Sequence, residues 1–356
     1  MSTKFIDPSA TIKDALKAIE INSERMAVVA SSDDKELFGT VTDGDIRRHI
    51  LNGGSLEASV HSVMNKEPIT AIASMSDNFL RQLFITNNIR GIPLVDDSNK
   101  FIRVIYKKNV NNNENIFDER TFGAAIIMAG GEGMRLRPLT LDTPKPMVEI
   151  NGIPLLERQI NKLKSIGVPI IYLAVNYLKD VIKDYFGNGE NYGVNIQYIN
   201  ETMRLGTAGA LSLIPDLNFN QPVLVMNGDI LTTSDYSHIY HFHLDHKADM
   251  TVTAKDYHIE IPYGVIQYEG VKIKSIEEKP SQRFFCNAGI YVLSAQIINS
   301  INSIKFLNMT DVIDQCINDG KNVLVFPLHE YWSDIGTEHD LKVARSIFED
   351  NESELK

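Results

Sequence analysis

The segment from Ala124 to Pro146 constrains the fold of this chain more than any other stretch, and it reads AAIIMAGGEGMRLRPLTLDTPKP. The apolar run from Ala124 to Met128 is typical of a buried parallel strand. Three glycines follow this run: Gly130, Gly131 and Gly133. Glycines of this kind let the backbone bring its N–H groups close to phosphate oxygens. Arg135 and Lys145, which stands between two prolines, add positive charge. The segment therefore predicts a strand followed by a loop that binds a nucleoside triphosphate.

The glycine spacing differs from the two commoner phosphate-binding patterns, because GxxxxGK[ST] needs a lysine directly after its last glycine and GxGxxG has another glycine order. On the glycines alone, a tight strand-to-helix turn without a ligand is an equally good interpretation. The longer string favours the ligand site. GGEGMRLRPLT followed by PKPM resembles the signature of the sugar-phosphate nucleotidyltransferases, the nucleotide-sugar pyrophosphorylase family. The resemblance covers nearly all of residues 121–350.

The length and net charge of the chain favour a protein of two domains that binds neither nucleic acid nor a membrane. At 356 residues the chain is long for one core, which predicts two domains. Its 46 acidic and 35 basic residues give a formal net charge of −11, so no nucleic-acid or membrane partner is expected. No apolar run approaches the roughly 20 residues of a membrane span, and no signal peptide is evident, so a cytoplasmic location is expected. Cys286 and Cys316 are too few for a disulfide framework and are expected to be reduced.

A polar, Asn-rich stretch at 108–120 separates two periodic regions, and we expect domains at 1–115 and 121–350. In the first region, ERMAVVASSDDKELFGTVTDGDI is echoed about 64 residues later by IRGIPLVDDSNKFIRVIYKKNV. An amphipathic helix pattern precedes each copy. The repeat resembles a tandem pair of CBS domains, which implies a small α/β module in front of the larger domain.

The first half of this repeat resembles a nucleotide-binding CBS domain at two residues. Thr42 and Asp45 of TVTDGDIRRHI match the Thr and Asp with which that family binds phosphate and ribose. The second half has Tyr106 and Asn109 at the matching positions. The resemblance implies at most one site per chain for an adenine or guanine nucleotide. The alternative is a module that only dimerises or spaces the protein.

The region from 121 to 350 alternates strand and helix patterns, which is typical of a doubly wound α/β domain with a mostly parallel, Rossmann-like sheet. Strands are predicted at 124–129, 170–175, 194–199, 222–227 and 249–256, with another in KNVLVFPL. Helices are predicted at 154–166, 178–186, 207–213, 235–247, 309–319 and 337–348. Ligands of open parallel sheets bind beyond the carboxyl ends of the strands.

Two aspartates are candidate metal ligands. Asp229 follows the apolar run PVLVMNG, and Asp334 lies in YWSDIGT. A carboxylate at the end of a buried strand needs a partner, and a divalent cation beside a triphosphate is an obvious one. The resemblance implies that both residues hold Mg²⁺ on the α-phosphate of the nucleotide. Helix capping is the alternative interpretation.

Further motifs are assigned by the same resemblance. RLGTAGAL matches the loop that lies against the base and sugar, and supplies Leu205, Gly206 and Thr207; the alternative is a helix N-terminus capped by Thr207. PYGVI, SIEEKP and CNAGIYV match the sugar side, and they supply Gly264, Glu278, Lys279 and Asn287.

The catalytic group that the resemblance implies has no protein nucleophile. Arg135 is assigned to the departing pyrophosphate, Lys145 to the triphosphate and Lys279 to the sugar phosphate, beside Mg²⁺ on Asp229 and Asp334. These charges would lower the repulsion between two anionic reactants, a nucleoside triphosphate and a sugar 1-phosphate. The products would be a nucleotide-sugar and pyrophosphate.

The sequence assigns the nucleotide and the sugar less firmly than the type of reaction. LGTAGAL resembles guanylyltransferases of the GDP-mannose type, which implies GTP. A CBS pair in front of such a domain resembles the glucosamine-1-phosphate guanylyltransferases of bacterial legionaminic acid synthesis. The alternatives are a uridylyl or thymidylyl transferase, and a catalytically silent regulatory subunit that binds nucleotide and sugar phosphate. A homo-oligomer is expected.

Overall fold

The structure is a computed structural model that describes residues 5–22, 25–72, 75, 77–87, 89, 91–106, 121–217 and 219–350. The chain divides into two compact units, Met1–Glu119 and Arg120–Lys356. No helix in the described ranges is long and apolar enough to cross a membrane.

The first unit contains two similar halves, as its internal repeat predicts. Its elements are α1 Ile12–Asn22, β1 Met26–Ala30, β2 Leu37–Thr42, α2 Asp43–Leu51, β3 Ala71–Ile72, α3 Asp77–Asn87, β4 Gly91–Val95 and β5 Phe101–Tyr106. In each half a helix precedes an antiparallel strand pair, β1 with β2 and β4 with β5. Apolar residues of α1 and α2 pack on β1 and β2 in one buried cluster that includes Ile19, Val41 and Ile46.

The second unit is built on a seven-stranded sheet. Its strands are β6 Ala124–Met128, β7 Glu149–Ile150, β8 Ile153–Pro154, β9 Ile171–Val175, β10 Ile196–Asn200, β11 Val223–Asn227, β12 Ile230–Thr232, β13 Met250–Glu260, β14 Val265–Glu269, β15 Lys272–Glu277, β16 Ser281–Leu293, β17 Val323–Leu328 and β18 Trp332–Asp334. Its helices are α4 Leu155–Ser165, α5 Lys179–Phe186, α6 Tyr236–Asp245, α7 Ala295–Ser300, α8 Met309–Asn318 and α9 Glu338–Asp350.

The large sheet runs in the order β10-β9-β6-β11-β16-β13-β17. β10, β9, β6 and β11 are mutually parallel neighbours, and β13 is parallel to β17. β16 runs antiparallel to both of its neighbours, β11 and β13. Two buried clusters lie on opposite faces of this sheet, one with α4, α5 and α6 and the other with α7 and α8. This confirms the doubly wound α/β class with a mostly parallel sheet.

One predicted element has a different structure. The helix expected at 207–213 is a short 3₁₀ helix, Gly209–Leu213. The backbone N–H groups of Ala208 and Gly209 both donate to the carbonyl of Leu307, at 2.9 and 3.1 Å, which ties this short element to the segment before α8. Gly206, at φ +79°, holds the preceding residues in a loop.

Candidate active site

A cavity of about 610 Å³ opens at the carboxyl ends of the four parallel strands β10, β9, β6 and β11. Each strand is followed by a residue that lines it. These residues are Glu201 after β10, Asn176 after β9, Gly130 after β6 and Asp229 after β11. A pocket of this size accommodates a nucleotide-sized ligand, and its place is the one that parallel sheets favour.

The glycine loop after β6 forms one wall of the cavity through Gly130, Gly131 and Gly133. Gly133 has φ +61°, a conformation that side chains rarely adopt, and its carbonyl accepts a hydrogen bond from Thr140 Oγ1 at 2.8 Å. A Cβ atom on Gly131 would meet nothing within 4 Å, whereas one on Gly130 would lie 2.8 Å from Glu201 Oε1. The loop therefore presents open backbone at Gly131, where a ligand can approach.

Lys145 lies between the two predicted metal ligands. It begins a 3₁₀ turn, Lys145–Met147, and is 8% exposed. Its Nζ donates to Asp229 Oδ2 and, at 3.2 Å, to Asp334 Oδ1. The three side chains form one charged cluster at the end of β11. Two carboxylates and one ammonium leave this cluster with a formal charge of −1 when all three are ionised.

Backbone pairing brings the two aspartates together. β12 and β18 are antiparallel, with Ile230 opposite Asp334, and the N–H of Ile335 donates to the carbonyl of Asp229 at 3.0 Å. Asp229 and Asp334 are thus neighbours across a short ladder despite their distance along the chain. The sequence predicted both residues, and the structure brings them to one point.

One carboxylate oxygen of the cluster is available to coordinate a cation. Oδ1 of Asp229 is buried and has no hydrogen-bond partner among the described residues. Burial and the nearby charge of Asp229 raise the pKa of Asp334, although Lys145 and Arg135 oppose this. Mg²⁺ binds oxygen ligands, commonly one or two carboxylates, and an oxygen without a hydrogen-bond donor is free to act as one. Asp229 and Asp334 therefore fit a Mg²⁺ ion.

Arg135 is placed beside Asp334 and does not line the cavity itself. Its guanidinium lies so close to Gly336 that a Cβ there would be 3.2 Å from it, and its charge opposes the rise in the pKa of Asp334 that burial and Asp229 cause. The side chain is exposed. Arg135 is therefore available to an anion that extends out of the cavity past Asp334.

The loop that contains Leu205, Gly206 and Thr207 forms another part of the cavity wall. It is held by the segment before α8. The carbonyl of Leu205 accepts from the N–H of Leu307 at 2.9 Å, and Thr207 Oγ1 accepts from the N–H of Met309, also at 2.9 Å. The hydroxyl of Thr207 thus bonds the start of α8 rather than the helix predicted to follow it. All three predicted residues lie on the cavity.

The predicted sugar-side residues do not line this cavity. Glu278 and Lys279 are exposed in the turn between β15 and β16, where Lys279 has φ +47°. Glu278 packs near Gly264, since a Cβ on that glycine would lie 3.0 Å from Glu278 Oε2. The side chain of Lys279 forms no hydrogen bond or ion pair within the part of the chain that the structure describes.

Asn287 connects the sugar-side motifs to the cavity indirectly. Its Oδ1 accepts from the N–H of Gly289 at 3.0 Å, and its Nδ2 donates to the hydroxyl of Tyr291 at 2.8 Å. Gly289 in turn lies against the amide of Asn227, which does line the cavity. Asn287 therefore lies next to the β11 end of the cavity.

Several cavity residues escaped the sequence analysis, namely Asn176, Tyr177, Glu201, Asn227 and Phe306. The first four lie at the ends of strands that the sequence predicted, so their position after a strand could have identified them. Tyr177 also fixes the glycine-loop wall, because its hydroxyl donates to the carbonyl of Leu141 at 2.9 Å. Phe306, 63% exposed, had no signal because it lies in a loop without a predicted element.

In the first unit, Thr42 and Asp45 form a reciprocal cap at the start of α2. Thr42 Oγ1 and the Thr42 N–H both donate to Asp45 Oδ2, at 2.6 and 2.9 Å, and the N–H of Asp45 donates to Thr42 Oγ1 at 3.3 Å. Arg48 bonds the other carboxylate oxygen. Tyr106 ends β5, while Asn109 lies outside the described residues. The predicted nucleotide-binding pair is adjacent in space, and its two side chains are each other's partners.

Comparison with known families agrees with these two units. The nucleotidyl transferase family matches residues 124–351, and the CBS domain family matches residues 1–52 and 60–112. The first match holds every residue that lines the cavity.

Two curated relatives and one solved structure extend the comparison. Mannose-1-phosphate guanyltransferase 2 of Candida glabrata is 35% identical over 231 residues, which are 63% of this chain and 64% of that protein. Mannose-1-phosphate guanyltransferase of Saccharomyces cerevisiae is 35% identical over 223 residues, 60% of this chain and 62% of that protein. This chain therefore spans slightly less than two thirds of each relative. HddC from Yersinia pseudotuberculosis, complexed with GMP-PN, matches 64% of this chain and 100% of its own at 28% identity, with a TM-score of 0.50.

Proposed function

Because this chain belongs to the nucleotidyl transferase family, we propose that it transfers a guanylyl group from GTP to a sugar 1-phosphate, giving a GDP-sugar and pyrophosphate. The observation that carries the proposal is the position of Lys145 between Asp229 and Asp334, beside the glycine loop of one nucleotide-sized cavity. This arrangement combines a cation for phosphate oxygens with carboxylates for a metal.

The reaction needs no protein nucleophile and no general base. An oxygen of the sugar phosphate, already anionic, attacks the α-phosphorus of GTP and forms a new P–O bond. The bond from the α-phosphorus to the oxygen that bridges to the β-phosphate breaks, and its electron pair leaves with pyrophosphate. The barrier arises mainly from bringing two anions together, so positioning and positive charge lower it.

Residues in the cavity and outside it would supply those two effects. Open backbone at Gly131 and the ammonium of Lys145 would hold the triphosphate, with the α-phosphate next to Lys145. Arg135, exposed beyond Asp334, is placed for the pyrophosphate end. Lys279, exposed and without a bonded partner among the described residues, is the proposed partner of the sugar phosphate.

Asp229 and Asp334 would hold Mg²⁺, for which the unpartnered Oδ1 of Asp229 is the supporting observation. A bound Mg²⁺ supplies charge neutralisation at phosphate oxygens. Lys145 keeps the two carboxylates close together because its ammonium offsets their mutual repulsion.

Glucosamine 1-phosphate is the proposed sugar substrate, and mannose 1-phosphate is its main competitor. The first rests on the CBS pair in front of the catalytic unit, and the second on the names of the relatives. The guanylyl donor is common to both. A uridylyl or thymidylyl transferase is the alternative enzyme, and it differs from the proposed one in the base that the cavity must recognise.

A catalytically silent regulatory subunit is the alternative outside catalysis. Loss of charge at the metal and phosphate positions would be expected in such a protein. Here the Lys145–Asp229–Asp334 cluster is complete, and its members contact one another. The intact cluster favours the enzyme.

The test is pyrophosphate release by the full chain with Mg²⁺, measured for GTP, UTP, dTTP and ATP against glucosamine, mannose and glucose 1-phosphates. We expect turnover with GTP, and highest kcat/KM with glucosamine 1-phosphate. Turnover confined to UTP or dTTP would show that the nucleotide donor is not GTP. Turnover with mannose 1-phosphate alone would show that the sugar substrate is not glucosamine 1-phosphate. The absence of turnover with every pair would favour the silent subunit.

A further inference from the structure

Glu132 joins the glycine loop to the loop that follows β10. It lies between Gly131 and Gly133, is half-buried, and lines the cavity. Its Oε1 accepts a hydrogen bond from the guanidinium of Arg204, an exposed residue of the second loop that also lines the cavity. Its other carboxylate oxygen, Oε2, lies 3.7 Å from Nη2 of Arg137. One carboxylate therefore holds two guanidinium groups, one at each of its oxygens.

The order of the strands shows that this contact crosses part of the cavity. The glycine loop follows β6 and the loop with Arg204 follows β10, and β9 lies between these two strands in the sheet. Neighbouring strands are about 4.8 Å apart, so the ends of β6 and β10 are separated by roughly 10 Å. Asn176, which follows β9, also lines the cavity. The Glu132–Arg204 pair therefore joins two walls of the cavity across the end of an intervening strand.

The charged side chains that line the cavity do not make it positive. Three of them are carboxylates and two are cations, namely Glu132, Glu201 and Asp229 with Lys145 and Arg204. Both cations are bonded to carboxylates, Lys145 to Asp229 and Arg204 to Glu132. A nucleoside triphosphate carries several negative charges, so it gains most from a cation that can leave its carboxylate partner.

Arg204 can leave Glu132 at little cost. Its side chain is 74% exposed, and exposed ion pairs contribute little to stability. Glu132 would remain beside Arg137, so its charge would stay compensated. A triphosphate at the open backbone of Gly131 would repel the neighbouring carboxylate and attract the guanidinium of Arg204. A guanidinium can donate two parallel hydrogen bonds to a phosphate, which favours the new partner.

We propose that Arg204 exchanges its partner when the triphosphate binds. Its guanidinium leaves Glu132 and donates to phosphate oxygens, while Glu132 stays with Arg137. This inference rests on the proposed function for the presence of a triphosphate in the cavity, and it adds a phosphate-binding residue from the loop after β10. Glu132 is a positioning residue, because it holds Arg204 next to the glycine loop before the exchange.

The experiment is a double-mutant cycle in the full chain, with Glu132→Gln, Arg204→Gln and the double variant. Dissociation constants for GTP and GMP are measured by calorimetry with Mg²⁺ and without sugar phosphate. GMP retains the base and the ribose and lacks the β- and γ-phosphates. KM for GTP is a second readout, because turnover reports on the catalytic cavity and not on a nucleotide held by the CBS unit.

The matched controls remove another exposed ion pair of the same unit. Lys274 and Glu269 are 2.7 Å apart and do not line the cavity, so Lys274→Gln and Glu269→Gln change the same charges elsewhere. Thermal unfolding of every variant identifies any that is misfolded. Arg204→Lys retains the charge without the planar guanidinium and keeps the test available if Arg204→Gln does not fold.

We expect Arg204→Gln to weaken GTP binding about 10-fold or more, and GMP binding less, as the loss of hydrogen bonds between charged groups predicts. Glu132→Gln should tighten GTP binding about two- to fivefold, because Arg204 no longer has to leave a carboxylate. In the Arg204→Gln background most of this gain should disappear. Arg204→Lys should keep part of the GTP affinity, and both controls should keep all of it.

Three results would overturn the inference. If Glu132→Gln weakens GTP binding as Arg204→Gln does, the pair only holds the two loops in place. If Glu132→Gln tightens GTP binding equally in both backgrounds, its effect is one of long-range charge and involves no exchange. If Arg204→Gln tightens GTP binding, the pair obstructs the nucleotide and Arg204 does not bind phosphate.

The inference and the proposed function can fail separately. The expected pattern without turnover for any sugar phosphate supports the exchange and refutes the proposed function. The same pattern with UTP or dTTP in place of GTP supports the exchange and corrects only the base. Turnover with GTP whose KM does not change in folded Arg204→Gln refutes the exchange alone.

Discussion

Lys145 and Asp229, 84 positions apart in the sequence, form an ion pair at the ends of two neighbouring parallel strands. Asp229 follows β11, while Lys145 belongs to the segment that returns after the glycine loop of β6. Because β6 and β11 are paired in register, with Ala124 opposite Val223, their carboxyl ends must lie side by side. Strand order therefore brings the segments that carry Lys145 and Asp229 to the same edge of the sheet.

Replacing either aspartate of this cluster by asparagine should abolish turnover and leave the fold intact. Asp229→Asn and Asp334→Asn each remove one charge from the proposed metal site without a change in side-chain volume. We expect kcat to fall about 100-fold or more, as for other losses of transition-state charge stabilisation. Mg²⁺-dependent pyrophosphate release measures this, with the exposed Asp216→Asn as control. Near-normal release from both variants would refute the metal assignment.

Arg135→Ala and Lys279→Ala should affect different substrates. Arg135 is placed beside Asp334, so its loss should weaken the triphosphate side, whereas Lys279 belongs to the turn after β15 and should affect sugar-phosphate use. Each loss should be about tenfold or more in the KM concerned. Titration of each substrate at saturating levels of the other distinguishes them, with the exposed Lys272→Ala as control. Equal losses for both substrates in both variants would contradict this division.

Deletion of residues 1–119 should leave a folded and active catalytic unit. Every residue that lines the cavity lies beyond this boundary, and the two units are separately compact. Regulation or assembly should change instead. Turnover and oligomer mass are to be compared with and without adenine and guanine nucleotides, for the full chain, the truncation and Asp45→Ala. A folded but inactive truncation would show that the CBS unit contributes to catalysis. Unchanged binding of every nucleotide by Asp45→Ala would refute the ribose assignment.

The second unit should lose stability as the pH falls from about 6.5 to about 4. Burial lowers the pKa of His243 to about 4, and its Nδ1 lies 3.0 Å from Thr251 Oγ1. Between these pH values the unfolded chain binds a proton that the native His243 does not, so the free energy of unfolding decreases as the pH falls. The difference amounts to about 3 kcal/mol when complete. Urea unfolding at several pH values measures it.

In His243→Gln this part of the acid slope should disappear, even if the variant is less stable throughout. His246→Gln is the matched control, because His246 is exposed. An acid slope that is the same in His243→Gln and in the control would show that other groups cause it.

The central strands of the large sheet could be predicted because β6, β9 and β11 are buried on both faces and read as continuous apolar runs. The first four predicted strands all appear within about two residues of their expected ends. β16 was missed because most of its first half is exposed and carries no regular alternation. The exposed β14 and β15 lacked an apolar signal for the same reason.

The charged cluster of the site could be predicted from the sequence, but the position of Glu201 on the cavity wall could not. Asp229 follows a predicted strand, whereas Lys145 and Asp334 were indicated by their motifs, and the unpredicted pairing of β12 with β18 places Asp334 beside Asp229. Glu201 also follows a strand, but in NETMRL it has the appearance of an ordinary loop glutamate. Its place on the cavity wall depends on how the end of β10 packs beside the glycine loop, which is not visible in the sequence.

The cap at the start of α2 has a consequence for any nucleotide that binds the CBS unit. Thr42 and Asp45 already bond to one another, so a ribose or phosphate that takes over these same hydrogen bonds would have to displace the cap. The observed binding free energy would then be that of the new ligand contacts minus the cost of uncapping the helix. That cost is about 1 kcal/mol, which weakens Kd roughly five- to tenfold. The same exchange would release the first turn of α2. Ligand binding would then fray the start of this helix. Faster amide hydrogen exchange at residues 43–46 would measure that fraying.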